Sequence, residues 1–209
     1  MAEPIIVFGS GGHAKVVVEA VLARSPDREI ILLDDSEQSR GRTLLGIPVS
    51  GGRELLNSLR AVPVALGIGD NRARSELLRW LKEQTQPLET VVHPATTVGK
   101  SVIMGDGAFL AAGVIAIADA RVGAGAIINT GATIDHDCDV GEAAHIAPGV
   151  HLCGNVRIGA RTLVGVGTAI RPGISVGADV IIGAGSVVVR DINAPGTYAG
   201  NPARALNKS

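Results

Sequence analysis

Aromatic residues are nearly missing from this chain. Phe8, Trp80, Phe109 and Tyr198 are the only phenylalanine, tryptophan and tyrosine residues among 209. A core built by interlocking large rings is therefore excluded. Cysteine is equally scarce, and Cys138 with Cys153 cannot make a disulfide framework. No apolar run approaches the about 20 residues of a membrane span. The start, Met1-Ala2-Glu3-Pro4, lacks the basic region of a signal peptide. Neither sign of charge dominates: 19 Lys and Arg stand against 20 Asp and Glu. That balance excludes the electrostatic footprint of a general nucleic-acid binder. The expectation is a soluble cytoplasmic protein, with no nucleic-acid partner and no membrane insertion.

What remains is aliphatic and rich in glycine: 46% hydrophobic residues and 28 glycines. Their order is regular. Every sixth residue from Val98 to Val188 is apolar, and only Ala116 in that row is not a large aliphatic. The residue after it is often glycine, as at Gly99, Gly105, Gly123, Gly141, Gly159, Gly165, Gly177 and Gly183. The position two residues before each row member is small or β-branched, from Val102 and Ala108 to Val180 and Ser186. A six-residue period means a short flat strand followed by a tight corner, and glycine suits corners with unusual dihedrals or close backbone approach. Three such units close a triangular coil of eighteen residues. Stacked coils repeat at the inter-strand spacing of about 4.8 Å. Their interior is a narrow prism that aliphatics fill and rings do not, which accounts for the missing aromatics. Hexapeptide repeats of this kind signal a parallel β-helix. An ordinary parallel sheet would not hold the frame over about ninety residues without a slip.

Residues 1–92 follow another pattern. Ile5–Phe8, Ile30–Leu33 and Val62–Gly69 read as buried strands. Ala14 to Leu22, Arg53 to Leu59 and Asn71 to Gln84 read as helices, the last with Asn71 near its N-cap. Leu88 to Val92 reads as a strand leading into His93-Pro94. Alternating strands and helices predict a small parallel α/β sheet of Rossmann-like type. The division expected is residues 1–92, a β-helix over 93–190 and a tail over 191–209. Gly9-x-Gly11-x-x-Ala14 sits between a strand and a helix, where free helix N–H groups meet a phosphate or carbonyl oxygen. Asp34 lies about twenty residues on, the place of a ribose-binding acid. A nucleotide site is the direct reading. NAD is one candidate, although no second catalytic α/β domain follows.

The histidines are His13, His93, His136, His145 and His151. The run Asp135-His136-Asp137-Cys138-Asp139 suggests either a metal site or acid/base chemistry. His145 and His151 occupy the same repeat position one face apart, so they diverge within one chain, and a metal would need ligands from neighbouring chains. A carboxylate beside His136 would fix its tautomer and raise the basicity of its other nitrogen. As a wall residue, His136 could equally be merely solvated.

The set Gly9-Ser10-Gly11-Gly12-His13-Ala14, Asp34-Asp35, Ile68-Gly69, Asn129 to Asp137 and Gly200-Asn201-Pro202-Ala203 resembles the NeuD/PglD-type sugar O- and N-acyltransferases. The resemblance implies a left-handed β-helix behind an α/β domain, a homotrimer, and acetyl-CoA in a groove between adjacent β-helices, with no metal. It implies a nucleotide-linked amino sugar on Gly11, Gly12, His13, Asp34, Asp35, Ile68 and Gly69. It implies His136 as general base, Asp137 as its orienting acid, where PglD-type enzymes often carry Glu, and Asn129 beside them. It implies His145, Gly154, Val166, Ala184 and Asn201 along the cofactor. The reaction so implied is N-acetylation of the 4-amino group of a UDP- or GDP-linked 4-amino-4,6-dideoxyhexose, for bacterial surface glycan synthesis. O-acetylation of a sialic-acid-type sugar and a non-catalytic trimeric scaffold are the alternatives.

Overall fold

The computed structural model of the chain describes residues 3–206. The opening Met1-Ala2 and the last three residues of the expected tail, 207–209, lie outside the described residues.

The first domain is a five-stranded sheet flanked by two helices. In chain order its elements are β1 (Ile5–Phe8), α1 (Gly12–Arg24), β2 (Ile30–Leu33), β3 (Thr43–Leu44), β4 (Ile47–Gly51), β5 (Val64–Leu66) and α2 (Asn71–Glu83). The strand order is β3-β4-β2-β1-β5, all parallel except the β3–β4 hairpin. The strands alternate as a two-sided sheet requires. Ile5 and Val7 pack with the Ala14, Val17, Val18 and Val21 stripe of α1. Ile6 and Phe8 face Leu77, Leu78 and Leu81 of α2.

The structure sharpens two local expectations and adds one element that was not expected. The cap of α2 is Asp70 rather than Asn71: its Oδ1 accepts from the Ala73 amide at 2.8 Å, satisfying one of the free amides at a helix start. Arg53–Ser58 winds as a 3₁₀ helix instead of an α-helix. The β3–β4 hairpin carried too little period-two signal to read, since Thr43–Leu44 is only two residues long.

From Val91 onward the chain coils. Three parallel sheets run up the domain. Face one carries Thr97, Ile115, Thr133, His151, Ala169 and Val187; face two Ile103, Arg121, Asp139, Arg157 and Ser175; face three Phe109, Ile127, His145, Leu163 and Ile181. Every pairing joins residues eighteen apart, as the hexapeptide frame requires. Every row member from Leu110 to Val188 is at most 3% exposed. The second interior position is sealed too. Where it is polar, its hydroxyl is satisfied by a carbonyl, as in Thr162 Oγ1 to Gly177 O at 2.6 Å. No ring enters the prism: Phe109 is the first residue of its strand pair and points outward, toward the first domain.

Two backbone demands divide the corner residues. From residue 107 to residue 185 every sixth residue has positive φ; these are glycines or, at the other places, Asp119, Asp137, Ala143, Asn155, Arg161 and Asp179. Asp and Asn tolerate this region better than most side chains. The glycine that follows the aliphatic row answers a different demand. A Cβ on Gly123 would sit 2.7 Å from the Glu142 amide nitrogen in the next coil. Glycine there allows coils to approach, and it does not relieve a strained φ.

The two domains are not separate beads. One continuous core runs from Ile5, Val7 and α1 through Val91 and Phe109 into the prism. Leu88 bridges to Val64 in the first sheet, and three residues later Val91–Val92 pairs with Phe109–Leu110. Arg28 clamps Glu89 in this passage with two hydrogen bonds of 2.7 and 2.9 Å.

Ile146 is wholly buried at mid-height. Ile146→Ala is expected to lower stability by about 2–5 kcal/mol through lost burial and a residual cavity. Ile146→Phe is expected to destabilise as well, by overpacking. Urea unfolding checks both, and a Phe variant as stable as the parent would refute the narrow-prism account.

Candidate active site

The expected site residues gather in three places. Around the N-terminus of α1, the Gly9–Ala14 turn meets β2 and the loop after β5. Gly9 has φ +118°, and a Cβ there would strike the Gly67 carbonyl at 2.8 Å, so this turn admits only glycine. Above Gly11 and Gly12 there is open space within 4 Å. Gly11 caps α1 without a side-chain bond, and no acid lies in its first turn. Exposed helix amides with nothing over them suit an anion. Asp34 lines the same turn: its Oδ2 accepts from Ser10 Oγ at 2.6 Å and its Oδ1 from the Ser36 amide at 2.8 Å. Asp35 turns aside to Arg53, whose Nε lies 2.7 Å from Oδ2 and whose guanidinium covers the Trp80 ring at 4.9 Å. Gly69 packs against His13, with its Cβ direction 3.5 Å from His13 Cβ, and Ile68 packs beneath Gly9.

The second domain reaches the same place. The His13 ring stands edge-on to Phe109 with centroids 5.1 Å apart. Its Nε2 is buried and, among the described residues, has no hydrogen-bond partner. His145 follows on face three, its Nε2 3.1 Å from Asn129 Nδ2. A cleft of about 230 Å³ opens beside them, lined by Gly69, Asp70, Arg72, His145, Arg161 and Asp179 among others. A larger hollow of about 530 Å³ lies between α2 and Glu142 and holds none of the expected site residues.

Arg74 ties this region together, and the sequence reading missed it. The side chain is completely buried. It donates to Ile68 O at 3.0 Å and Gly69 O at 2.9 Å in the first domain, and to Gly125 O at 2.7 Å and Ala143 O at 2.8 Å in the second. It also holds Asn71 Oδ1 at 2.7 Å, while Asn71 Nδ2 reaches Arg161 O at 3.0 Å. Residues 125, 143 and 161 form one column of positive-φ corners, so α2 lies along an edge of the prism and satisfies carbonyls that the corners turn outward. The one available signal was a cation three residues past an amphipathic helix start, which alone reads as a solvated face.

Burial lowers the Arg74 pKa to about 10, against the raising influence of Asp70, so the group stays charged at neutral pH. Its neighbours respond. Burial first, then the Arg74 charge, then His145, push His13 down to about 3. Burial and then Arg74 push His145 down to about 4. Both are neutral imidazoles in the folded protein.

The second gathering lies across the molecule. His136 stands at the corner between faces one and two, 56% exposed. Its Nδ1 is 2.8 Å from Asp137 Oδ2, and its backbone amide donates to Asp135 Oδ1 at 2.8 Å. The carboxylate only accepts, so Nδ1 carries the proton and Nε2 presents its lone pair outward. Asp137 is one of the positive-φ corner residues, at φ 59°. The Asp137 hydrogen bond, then the Asp135 charge, raise the His136 pKa above its ordinary value. Gly154 lies in the next coil against this ring.

The third gathering is the corner between faces three and one. Asn129, Val166 and Ala184 belong to it, with Val166 54% exposed. Gly185 N binds Val166 O at 2.8 Å in the corner ladder. The Gly200–Ala203 turn carrying Asn201 folds over the last coil, with Ala203 N on Val187 O at 2.8 Å. Face one separates this edge from His136. The chain therefore brings Asn129 to His145 and not to His136. Among the described residues no group of three or more His, Cys, Asp or Glu can hold a metal ion. No described helix is long and apolar enough to cross a membrane.

An α/β domain with an open helix N-terminus, joined to a left-handed hexapeptide β-helix bearing a carboxylate-held histidine, defines a two-domain acyltransferase class of fold. Residues 4–81 match the PglD N-terminal domain. Perosamine N-acetyltransferase from Caulobacter crescentus, solved with CoA and GDP-perosamine, superposes with TM-score 0.92 at 39% identity, over 98% of this chain and 97% of that one. The acetyltransferase domain of PglB from Neisseria gonorrhoeae gives TM-score 0.92 at 38% identity, over 98% and 99%. UDP-N-acetylbacillosamine N-acetyltransferase of Bacillus subtilis is 37% identical over 110 residues. That match spans about half of each protein: 52% of this chain and 51% of the enzyme. The chain belongs to the NeuD/PglD-type nucleotide-sugar N-acetyltransferases.

Two outcomes follow from the buried cluster. Arg74→Met is expected to cost about 3 kcal/mol or more, because it strands buried carbonyls in both domains; a urea midpoint shift at unchanged slope measures this. The histidine pair sets a pH dependence. Unfolded, both titrate near about 6.5; folded, they titrate at about 4 and about 3. Below pH of about 6.5 the unfolded chain therefore binds more protons, and stability falls with pH until the folded values are reached. The melting temperature is expected to drop between pH 7 and 4.5, and His13→Gln to flatten that drop.

Proposed function

We propose that this protein transfers the acetyl group of acetyl-CoA to the amine of a nucleotide-linked amino sugar, a 4-amino-4,6-dideoxyhexose on UDP or GDP. The observation that carries the reading is His136, with Nδ1 on Asp137 and a free Nε2 on an exposed prism edge. The relatives named for UDP-N-acetylbacillosamine and GDP-perosamine support the acceptor class. The relative solved with acetyl coenzyme A supports the donor.

His136 Nε2 accepts the proton that the amine sheds as the nitrogen–carbon bond forms. The thioester carbon–sulfur bond then breaks, and coenzyme A leaves as its thiolate, which takes the proton back from the imidazolium. The Asp137 carboxylate stabilises the imidazolium and keeps the ring in the accepting tautomer. The amides at Gly11 and Gly12 receive the diphosphate, with Asp34 toward the ribose. The neutral His13 and His145, both within reach of the Arg74 charge, flank the path from that domain to the β-helix. Val166, Ala184 and Asn201 follow the edge above Asn129. From Asn129 to Ala184 that edge rises three coils, roughly 14 Å, a rail for an extended pantetheine arm.

In one chain His136 and this rail lie on different edges. A second copy brings them together, so the reading includes a homotrimer with each site shared between neighbours. The exposed Ile115 and Ile117 on the intervening face favour such packing. Within the reading, residues 1–92 hold the nucleotide sugar, 93–190 the acyl chemistry and 191–209 the closing tail. Within the same reading the reaction takes place in the cytoplasm and needs no metal.

Thiol release from acetyl-CoA with UDP- and GDP-linked 4-amino sugars tests the proposal. Activity is expected with one nucleotide series. His136→Ala is expected to lose about 10²–10⁴-fold in kcat while remaining folded. Because the His136 pKa is raised, kcat/KM is expected to fall on the acid side around a pKa above the ordinary histidine value, and Asp137→Asn to bring that pKa down. Near-parental turnover in His136→Ala would overturn the assignment.

A further inference from the structure

Gly154 is a glycine for a reason unlike that of its neighbours. It is buried, and its φ lies outside the left-handed region, so the backbone alone would accept alanine. The row glycines of the repeat, such as Gly123 and Gly141, are confined by the backbone of the next coil. At Gly154 the three atoms nearest to an added Cβ all belong to the His136 imidazole: Cε1 at 2.5 Å, Nε2 at 2.5 Å and Nδ1 at 3.1 Å. Residues 136 and 154 are eighteen apart, so one stacks on the other in the same corner column. The Asn155 amide donates to His136 O at 2.8 Å and joins the two coils at that point.

We propose that Gly154 is a positioning residue for His136: its missing side chain leaves the floor on which the imidazole lies, at the angle that lets Nδ1 meet Asp137. This rests on reading His136 as the base. It departs from the role that the resemblance implies for Gly154, contact with the cofactor arm. The ring is the mobile partner. It is half exposed and turns about two bonds, whereas the backbone beneath it is locked into the coil ladder. A methyl group at 154 therefore lifts the ring, parts it from Asp137 and moves Nε2, while the coil keeps its shape. A shift of about 1 Å in a reacting group can cost as much as about 100-fold in rate.

The test uses Gly154→Ala in the full chain. NMR of ring-labelled histidine follows the His136 titration without any substrate, with His136→Ala assigning the signal. The Gly154→Ala titration is expected to move down toward the ordinary histidine range, as in Asp137→Asn. With substrates, kcat is expected to fall about tenfold or more, with KM for acetyl-CoA within about twofold. Melting temperatures close the cycle: Gly154→Ala is expected to destabilise the parent and to leave the His136→Ala background unchanged, since the conflict exists only when the ring is there. An unmoved His136 titration, equal destabilisation in both backgrounds, or a raised KM at unchanged kcat would overturn the proposal. If the parent protein shows no transfer at all, the base assignment fails, while the titration and the melting cycle still decide the contact.

Discussion

The width of the prism governs this molecule. Each six-residue unit can send one large aliphatic and one small residue inward, and the row from Leu110 to Val188 fills that space with almost no exposed surface. Adding a ring would force the three faces apart; losing an aliphatic would leave a void between coils. The eighteen-residue closure that results is what stacks corner upon corner. Functional side chains then fall into vertical columns: His136 over Gly154 on one edge, Val166 over Ala184 on another, and the carbonyls of Gly125, Ala143 and Arg161 on the third. A site on such a scaffold is built by column, so residues far apart in sequence become neighbours at a fixed spacing.

The third column joins the domains. Positive-φ corners turn their carbonyls outward, and Arg74 and Asn71 on α2 supply the donors that answer them. A wholly buried guanidinium is costly to desolvate. Among the described residues no carboxylate is hydrogen-bonded to it; it is held by carbonyls from both domains and by Asn71. The arrangement fixes the Ile68-Gly69 loop against the coil that carries His145. Burial first, and then the same charge, keep His13 and His145 neutral.

An electrostatic contrast runs across the molecule. His13 and His145 are partly buried near a cation and resist protonation. His136 is exposed between two aspartates and favours it. A neutral pair suits hydrogen bonding without titration near neutral pH, whereas a raised pKa suits a group that must take up a proton during turnover. The ring types are identical, and burial with the sign of the nearest charge separates their roles.

Much of this was legible in the order of residues. The sixfold row determined the β-helix, because a period of six admits few backbone solutions that bury every sixth side chain. The Gly9–Ala14 turn and Asp34 marked the α/β domain, because the strand-to-helix turn bends at Gly9, whose φ of +118° and close approach to Gly67 exclude a side chain. His136 and Asp137 were adjacent in the chain, so their contact required no long-range folding. Other features were decided only in three dimensions. Arg74 looks like any exposed helix cation until α2 is laid along the prism edge. Asn129 lies seven residues before His136 in sequence, and within one chain one corner and one face send it to His145. Gly154 reads as one glycine among many, and only coil stacking places the imidazole in its Cβ space. The physical reason is common to all three: local pattern sets which way a residue points, but the closure of eighteen residues into one turn, and the docking of the first domain on it, set what it meets.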